Sequence, residues 1–397
     1  MNQSFIKAKP ILNTLTEHGY EAYFVGGAVR DYLLNRPIHD IDIATSATPN
    51  IVQALFKNVI PVGIEHGTVI VVHDGVAYEV TTFRKESEYH DFRRPNEVTF
   101  ISSLQEDLKR RDFTMNAIAV SNNLEIIDPF NGKLDIHNQL IRTVGSPYDR
   151  FQEDPLRILR AIRFVAQLNF SVDKETLHAI DEMKSYLEHL SVERIAQEFE
   201  KLCLGQASGK ALKLIATYNI HCFLPCLKGY QAEIETIAKL SLTRLKEPHE
   251  CWTLLLFYIN HDPKTFLKAW KRPKRMIKQV ETLLYALKRE KSKQWDAYLF
   301  YSLGWELSQS YITIHTVIHK QSLEVNLRNF HKIYAELPIK QRKDLAINGN
   351  DLIDFTNRKR GPWIEEVLTL IEQSIIAGTL RNDKNELREW VSHWHNQ

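Results

Sequence analysis

The stretch YFVGGAVRD, residues 23–31, carries a local structural signal near the N-terminal end of the chain. Three β-prone residues are followed by Gly26 and Gly27 and then by a run with helical character, which predicts a strand, a tight turn and a helix start. Glycines let a backbone approach a phosphate closely, and a helix N-terminus supplies free N–H donors. Gly26, Gly27 and Arg30 are therefore candidates for binding a phosphate. An ordinary glycine turn is the alternative.

Further short β-prone runs surround this stretch, with helical stretches between them. The runs are residues 41–44, 68–72, 76–83, 117–120 and 124–127. From Asp154 onward apolar residues recur at helical spacing, and no convincing strand run follows. The sequence therefore predicts an α+β head, with a mixed sheet and helices, followed by an all-α part.

Length and composition limit the class of protein. The chain has 397 residues, which suggests two to three domains, and 44% hydrophobic with 25% charged residues excludes disorder and collagen. Lys and Arg number 51 against 49 Asp and Glu, so a uniformly basic nucleic-acid coat is excluded but local basic patches are not. The four cysteines include no CxxC pair, which argues against zinc and against a disulfide framework. Without a signal pattern or an apolar run near ~18 residues, we expect a soluble, cytoplasmic protein with no membrane partner.

Two acidic residues alternate along a predicted strand. Asp40 and Asp42 are two apart and would share one face, with the alternating isoleucines buried behind them. Like charges on one face repel unless a cation lies between them, and oxygen ligands favour Mg²⁺. Glu79, in the β-prone run 76–83, is a candidate third carboxylate, as a ligand or a base. The alternatives are a solvated edge strand and a solvent-facing Glu79.

A second charged segment, residues 109–116, places cations, an acid and an amide before an apolar strand. Arg111 is a candidate contact for phosphate, and Asp112 is a candidate acceptor for a ribose hydroxyl. A charged loop capped by Asp112 explains the same residues.

Taken together, six motifs resemble the nucleotidyltransferase superfamily that contains the class II bacterial CCA-adding enzymes (tRNA nucleotidyltransferases, bacillus type) and the bacterial poly(A) polymerases. They are GGAVRD (26–31), DID (40–42), RRDFTMNA (110–117), DPFNGKLDI (128–136), EDPLRILRAIRF (153–164) and ERIAQEFEKL (193–202). NGNDL (348–352) and GPW (361–363) resemble the tail of the bacillus-type enzymes more weakly. The resemblance therefore spans nearly the whole chain.

This resemblance implies a reaction and a set of roles. The family joins CTP and ATP to the 3′ end of tRNA with two metal ions, which implies Mg²⁺ on Asp40 and Asp42 with Glu79 as the third carboxylate. Arg30 and Arg111 would contact the triphosphate. The implied organisation is a catalytic head (1–138), a nucleotide-reading neck (139–202), a helical body (203–270) and a tRNA-binding tail (271–397).

The segment EDPLR, residues 153–157, offers a way to select bases. Asp154 and Arg157 lie one turn apart and can face the same way, so a carboxylate would accept from an exocyclic amine while a guanidinium donates to a ring nitrogen. Cytosine and adenine present that pattern, whereas uracil and guanine present its inverse. Asp154 before Pro155 is also a plain helix cap. The resemblance implies the base-reading role, with Arg160 and Arg163 near the nucleotide or primer.

Several readings of the function stay open on the sequence alone. A CC-adding enzyme, an A-adding enzyme and a poly(A) polymerase share the head motifs. The segment 84–95 resembles the flexible loop that CC-only enzymes have in altered form, and it is intact here, which favours full CCA synthesis. The resemblance of the tail argues against a poly(A) polymerase. His261-Asp262 is too little to indicate a phosphohydrolase. The expected partners are tRNA, through its 3′ end and its acceptor and elbow region, with CTP and ATP as substrates; a homodimer stays open.

Overall fold

A computed structural model describes residues 3–86, 98–289 and 295–395. By its internal contacts the chain forms two compact units, residues 1–238 and 239–397. The predicted four-part division, with boundaries at 138, 202 and 270, stays a prediction.

The first unit is built on a mixed sheet, and its strands are short. They are β1 (Ala22–Val25), β2 (Asp42–Thr45), β3 (Val59–Ile60), β4 (Thr68–His73), β5 (Val76–Thr82), β6 (Arg84–Glu86), β7 (Val98–Phe100), β8 (Ala119–Val120), β9 (Ile126–Ile127), β10 (Leu140–Ile141) and β11 (Ser171–Val172). Within the described residues, the main sheet has the order β3-β4-β5-β2-β1-β8-β9. Its neighbours run antiparallel except for β2 and β5, which are parallel.

Helices surround this sheet and continue after it. They are α1 (Gln3–Glu17), α2 (Gly27–Leu33), α3 (Pro49–Leu55), α4 (Leu104–Lys109), α5 (Gly132–His137), α6 (Pro147–Glu153), α7 (Leu156–Leu168), α8 (Lys174–Met183), α9 (Val192–Cys203), α10 (Ser208–Thr217) and α11 (Gln231–Ala238). α7 is buried along most of its length, because its apolar residues cover more than one face. The Asp154-Pro155 step separates α6 from α7, since proline has no N–H to continue the first helix but suits the start of the second.

The predicted α+β head is confirmed. The β-prone runs coincide with β1, β2, β4, β5, β8 and β9, although the last two shrink to two residues each. Five short strands lie outside the predicted runs: β3, β6, β7, β10 and β11. β11 also follows Asp154, where no strand was expected, and it pairs in parallel with β10.

The second unit is helical throughout its described residues. Its helices are α12 (Pro248–Ile259), α13 (Pro263–Ala269), α14 (Lys274–Arg289), α15 (Ala297–His319), α16 (Leu323–Glu336), α17 (Gly349–Thr356), α18 (Trp363–Ile376) and α19 (Lys384–His395). α15 is interrupted at Gly304, whose φ of 71° is one that glycine adopts without strain. Leu352, Val367 and Ile371 belong to one of its cores. Across the described ranges, none of the helices combines the length and apolar character that crossing a membrane requires.

Candidate functional site

Two carboxylates meet at the centre of the head sheet. Asp42, the first residue of β2, is in register with Glu79 of the parallel strand β5, so their side chains are neighbours on one face. Burial and then the charge of Glu79, with a smaller effect of Asp40, raise the pKa of Asp42 to about 6 against the opposing charge of Arg111. Ionising Asp42 in this buried position, beside two other acids, costs free energy. A bound cation would lower that cost.

Asp40 departs from the expectation that both aspartates lie on the strand. β2 begins at Asp42, opposite Val25, and the chain turns away at Gly26, so there is no neighbouring residue of β1 for Asp40 to pair with. Asp40 is exposed just before the strand. Ile41 and Ile43 are buried at 7% and 0% exposure, as predicted. In the described part of the chain, no set of three or more His, Cys, Asp or Glu side chains is already gathered as a metal site.

The glycine turn lies directly against these acids. Gly26 has a φ of 71°, and a Cβ on it would lie 3.1 Å from Asp42 Oδ2 and 3.4 Å from Arg111 Nη1. The positive φ therefore strains any larger residue, and a Cβ would also press against the Asp42 side chain. α2 begins at Gly27, and Arg30 on it donates to Asn116 Oδ1 at 2.8 Å and pairs with Asp31 at 3.0 Å.

Arg111 is positioned by an acid that sequence reasoning missed. Asp107 on α4 is 1% exposed and pairs with Arg111 Nη2 at 3.2 Å and Arg110 Nη2 at 2.7 Å. Burial alone would raise the pKa of Asp107, but the two arginines outweigh burial and lower it. The i,i+3 and i,i+4 spacing of these charges is the signal that could have found the cluster.

Asp112 lies at the centre of a second buried network. Its Oδ1 accepts from Phe113 N at 2.8 Å and Asn116 Nδ2 at 3.0 Å, and its Oδ2 accepts from Arg160 Nε at 2.8 Å. Burial would raise the pKa of Asp112, but Arg160 and Asn116 overcome this and hold it far below the ordinary value. The bond to Phe113 is the local capping that the sequence offered as an alternative. The ribose contact of Asp112 stays a prediction.

Each of the three arginines of α7 pairs with a carboxylate. Arg157 pairs with Glu153 at 2.6 Å, and Arg163 Nε lies 2.7 Å from Glu198 Oε2. The ring of Phe164 lies 4.2 Å from the Arg163 guanidinium and 6.0 Å from that of Arg160, distances at which the ring face attracts cations. Although the three arginines wind around the helix, all of them line the same cavity.

Asp154 lies between α6 and α7 with both oxygens engaged. Oδ1 accepts from Leu156 N at 3.1 Å, as a helix cap does, and Oδ2 pairs with Arg194 Nη2 of α9 at 2.8 Å. The capping contact that the sequence suggested is therefore present. The Arg194 contact was not foreseen, because it crosses forty residues of sequence.

These groups enclose one cavity of about 830 Å³. Every predicted site residue lines it except Asp40. Arginine side chains outnumber carboxylates along its wall eight to four. Such a wall favours a polyanion, and the carboxylates of Asp42 and Glu79 favour a cation beside it. The cavity thus brings together arginines whose charge is complementary to a polyanion, the neighbouring carboxylates of Asp42 and Glu79, and the acceptor and donor groups of Asp154 and Arg157.

Comparisons with known proteins match this architecture. Family models match residues 22–142 as a poly A polymerase head domain, 169–230 as an RNA- and SrmB-binding site of polymerase A, and 243–391 as tRNA nucleotidyltransferase domain 2. The chain is 47% identical to a CCA-adding enzyme of Geobacillus sp. (strain WCH70), over 99% of this chain and 98% of that protein. It is 44% identical to the CCA-adding enzyme of Bacillus mycoides (strain KBAB4), over 98% of each.

Solved structures match as well. The chain resembles the crystal structure of the Bacillus stearothermophilus CCA-adding enzyme in complex with CTP, with a TM-score of 0.93 and 40% identity, over 100% of this chain and 98% of that one. A Thermotoga maritima CCA-adding enzyme complexed with tRNA shares the fold, with a TM-score of 0.61 and 22% identity over 99% and 96% of the two chains.

Proposed function

Because this chain belongs to the family of CCA-adding enzymes, which add the sequence CCA to the 3′ end of tRNA, we propose that its cavity performs this addition from CTP and ATP. The tRNA 3′-hydroxyl attacks the α-phosphorus of the bound nucleotide, and the bond to pyrophosphate breaks. The observation that carries the proposal is that the paired carboxylates, the arginines, Asp154 and Arg157 all line the same cavity.

Members of this superfamily use divalent metal ions, and we assign Mg²⁺ to Asp40 and Asp42 with Glu79 as the third carboxylate. The residues fit the ion, because all their ligand atoms are carboxylate oxygens and the pKa of Asp42 is raised to about 6 by burial and by its acidic neighbours. When bound, the ions favour deprotonation of the 3′-hydroxyl and neutralise the leaving pyrophosphate. Glu79, exposed at the cavity, would serve either as a further ligand or as the base that receives the hydroxyl proton.

The triphosphate is assigned to the arginine side of the cavity. The backbone at Gly26 and Gly27 would let the phosphates come close, and Arg30 on α2 and Arg111, just after α4, would supply positive charge. Because phosphoryl transfer depends mainly on positioning and charge neutralisation, fixed guanidinium groups are sufficient for this task. Arg160 donates to the Asp112 carboxylate and orients it. The predicted ribose hydroxyl would therefore share that carboxylate with Arg160.

Base choice is assigned to Asp154 and Arg157. Asp154 would accept from the amine of cytosine or adenine, and Arg157 would donate to the adjacent ring nitrogen. Uracil and guanine would place a carbonyl against the carboxylate and an N–H against the guanidinium. Rejection follows because buried polar groups would be left unpaired.

The second unit is assigned to tRNA. Basic residues near 271–278 and 358–360 suit phosphate contacts, which orient RNA without reading its sequence. The segment 84–95, whose intact sequence favours full CCA synthesis, lies mostly outside the described residues. A CC-adding or A-adding enzyme is the remaining alternative, and the four-part division, a homodimer and a cytoplasmic location stay predictions.

The metal assignment is tested with Asp42→Asn, which keeps the shape of the side chain and removes its charge. We expect incorporation of CTP into a tRNA lacking its 3′ end to be abolished while tRNA binding and the melting temperature are retained. Lys201→Ala, an exposed change on α9, is the matched control. Undiminished incorporation by Asp42→Asn at saturating Mg²⁺ would overturn the assignment.

A further inference from the structure

Arg194 stands apart from the other arginines of the cavity because its partner is the proposed base-reading acid. Its Nη2 lies 2.8 Å from Asp154 Oδ2, and the two side chains are 23% and 18% exposed. It comes from α9, whereas Asp154 precedes α7. The contact therefore holds the Asp154 carboxylate from a second helix, α9.

The Asp154 carboxylate is held at both oxygens. Leu156 N donates to Oδ1 at 3.1 Å, and Arg194 donates to Oδ2. Two contacts on different oxygens fix the plane of the group, which one contact does not. Each carboxylate oxygen has a second lone pair, so the held carboxylate keeps the capacity to accept from a base amine.

A purely structural role for this pair is the alternative, and the packing of α7 on α9 argues against it. Arg163 and Glu198 already join these helices in a more buried ion pair, at 11% and 8% exposure. The pair of Arg194 with Asp154 is more exposed and lines the cavity. Arg194 also keeps a buried nitrogen, Nη1, that has no hydrogen-bond partner in the described structure.

We propose that Arg194 is a positioning residue for base choice, because it orients the Asp154 carboxylate toward the amine of cytosine or adenine. The inference rests on the proposed function, in which Asp154 accepts from that amine. It assigns Arg194 no contact with the reacting atoms. Its effect therefore falls on the selection of nucleotides and passes entirely through Asp154.

The test is a double-mutant cycle on the full chain. Arg194→Met removes the charge and keeps an unbranched stem, Arg194→Lys keeps the charge, and both are compared with Asp154→Ala and the double variant. Lys201→Ala is the control, as an exposed charge on the same helix. The ratio of kcat/KM for CTP to that for UTP is measured on a tRNA lacking its 3′ end, together with a melting curve.

We expect Arg194→Met to reduce the CTP to UTP ratio on the order of tenfold and Arg194→Lys to restore most of it. In the Asp154→Ala background, Arg194→Met should cause no further loss, since interacting residues are not additive. An unchanged ratio in Arg194→Met, or an equal further loss in the Asp154→Ala background, would overturn the inference and leave the proposed function intact. If Asp154→Ala itself keeps the wild-type ratio, base reading by Asp154 fails, and the role of Arg194 fails with it.

Discussion

Replacing Asp154 with asparagine separates the two contacts of this side chain. The amide oxygen of Asn can still accept from Leu156 N, so the cap on α7 is retained. The amide nitrogen then faces the Arg194 guanidinium, which is itself a donor, so the contact that orients the side chain is lost and one acceptor for the base amine is replaced by a donor. Asp154→Asn should therefore lose the preference for CTP while it keeps the fold.

The magnitude follows from what is left unpaired. A buried donor without an acceptor costs about 1–3 kcal/mol, which corresponds to a loss of roughly 5- to 150-fold in the CTP to UTP ratio. The lost ion pair with Arg194 is partly exposed, so its removal costs about 1 kcal/mol or less of stability. Asp154→Ala removes the cap as well and should lose about 1 kcal/mol more.

The assay measures kcat/KM for CTP and for UTP on a tRNA lacking its 3′ end, with a melting curve for each variant. The reasoning predicts that both variants lose selectivity and that only Asp154→Ala shows a clear loss of cap stability. A wild-type CTP to UTP ratio in Asp154→Asn would show that the residue acts as a cap alone.

Three further predictions concern other parts of the chain. A short Gly/Ser linker in place of residues 86–94 should leave CC addition and impair the final A, because the resemblance of this segment to the family's loop implies that it reshapes the site between C and A addition; equal loss of both, in sequenced products, would contradict this. Asp107→Asn should raise KM for CTP and ATP by roughly tenfold, since Arg111 loses its buried counter-charge, and an unchanged KM would refute that role. Burial lowers the pKa of His249, so the unfolded chain takes up this proton first and stability falls as the pH drops below about 6.5. Between pH 7.5 and pH 5.5, the urea midpoint of His249→Gln should fall by less than that of the wild type. Equal falls would exclude this contribution.

The local parts of the fold and site were predictable because their signals are local. The glycine turn, the strand at residues 22–25 and the buried helix that begins at Leu156 follow from conformational freedom and from apolar periodicity within a few residues. The capping contact of Asp154 with Leu156 follows from Asp-Pro spacing in the same way.

The non-local parts were not predictable from spacing. Asp42 and Glu79 are neighbours only because β2 and β5 pair in parallel. The sequence of neither strand shows which residues lie opposite each other in that pairing. Asp40 has no partner on β1 because the turn at Gly26 ends that strand, which alternation alone does not show. Arg194 lies within a recognised motif, yet its contact with Asp154 depends on how two helices pack.

We propose that one cavity adds cytidine, cytidine and adenosine, in that order, to the 3′ end of tRNA. The direct measurement incubates the wild-type chain with a tRNA transcript that lacks its last three nucleotides, Mg²⁺ and all four NTPs, and then sequences the product 3′ ends. We predict ends that read CCA and stop, with U and G rare, and ends that stop at CC with CTP alone. Products that end at CC with all four NTPs present, transcripts that stay unextended, as with an A-adding enzyme, or ends that carry a run of A would contradict the proposed function.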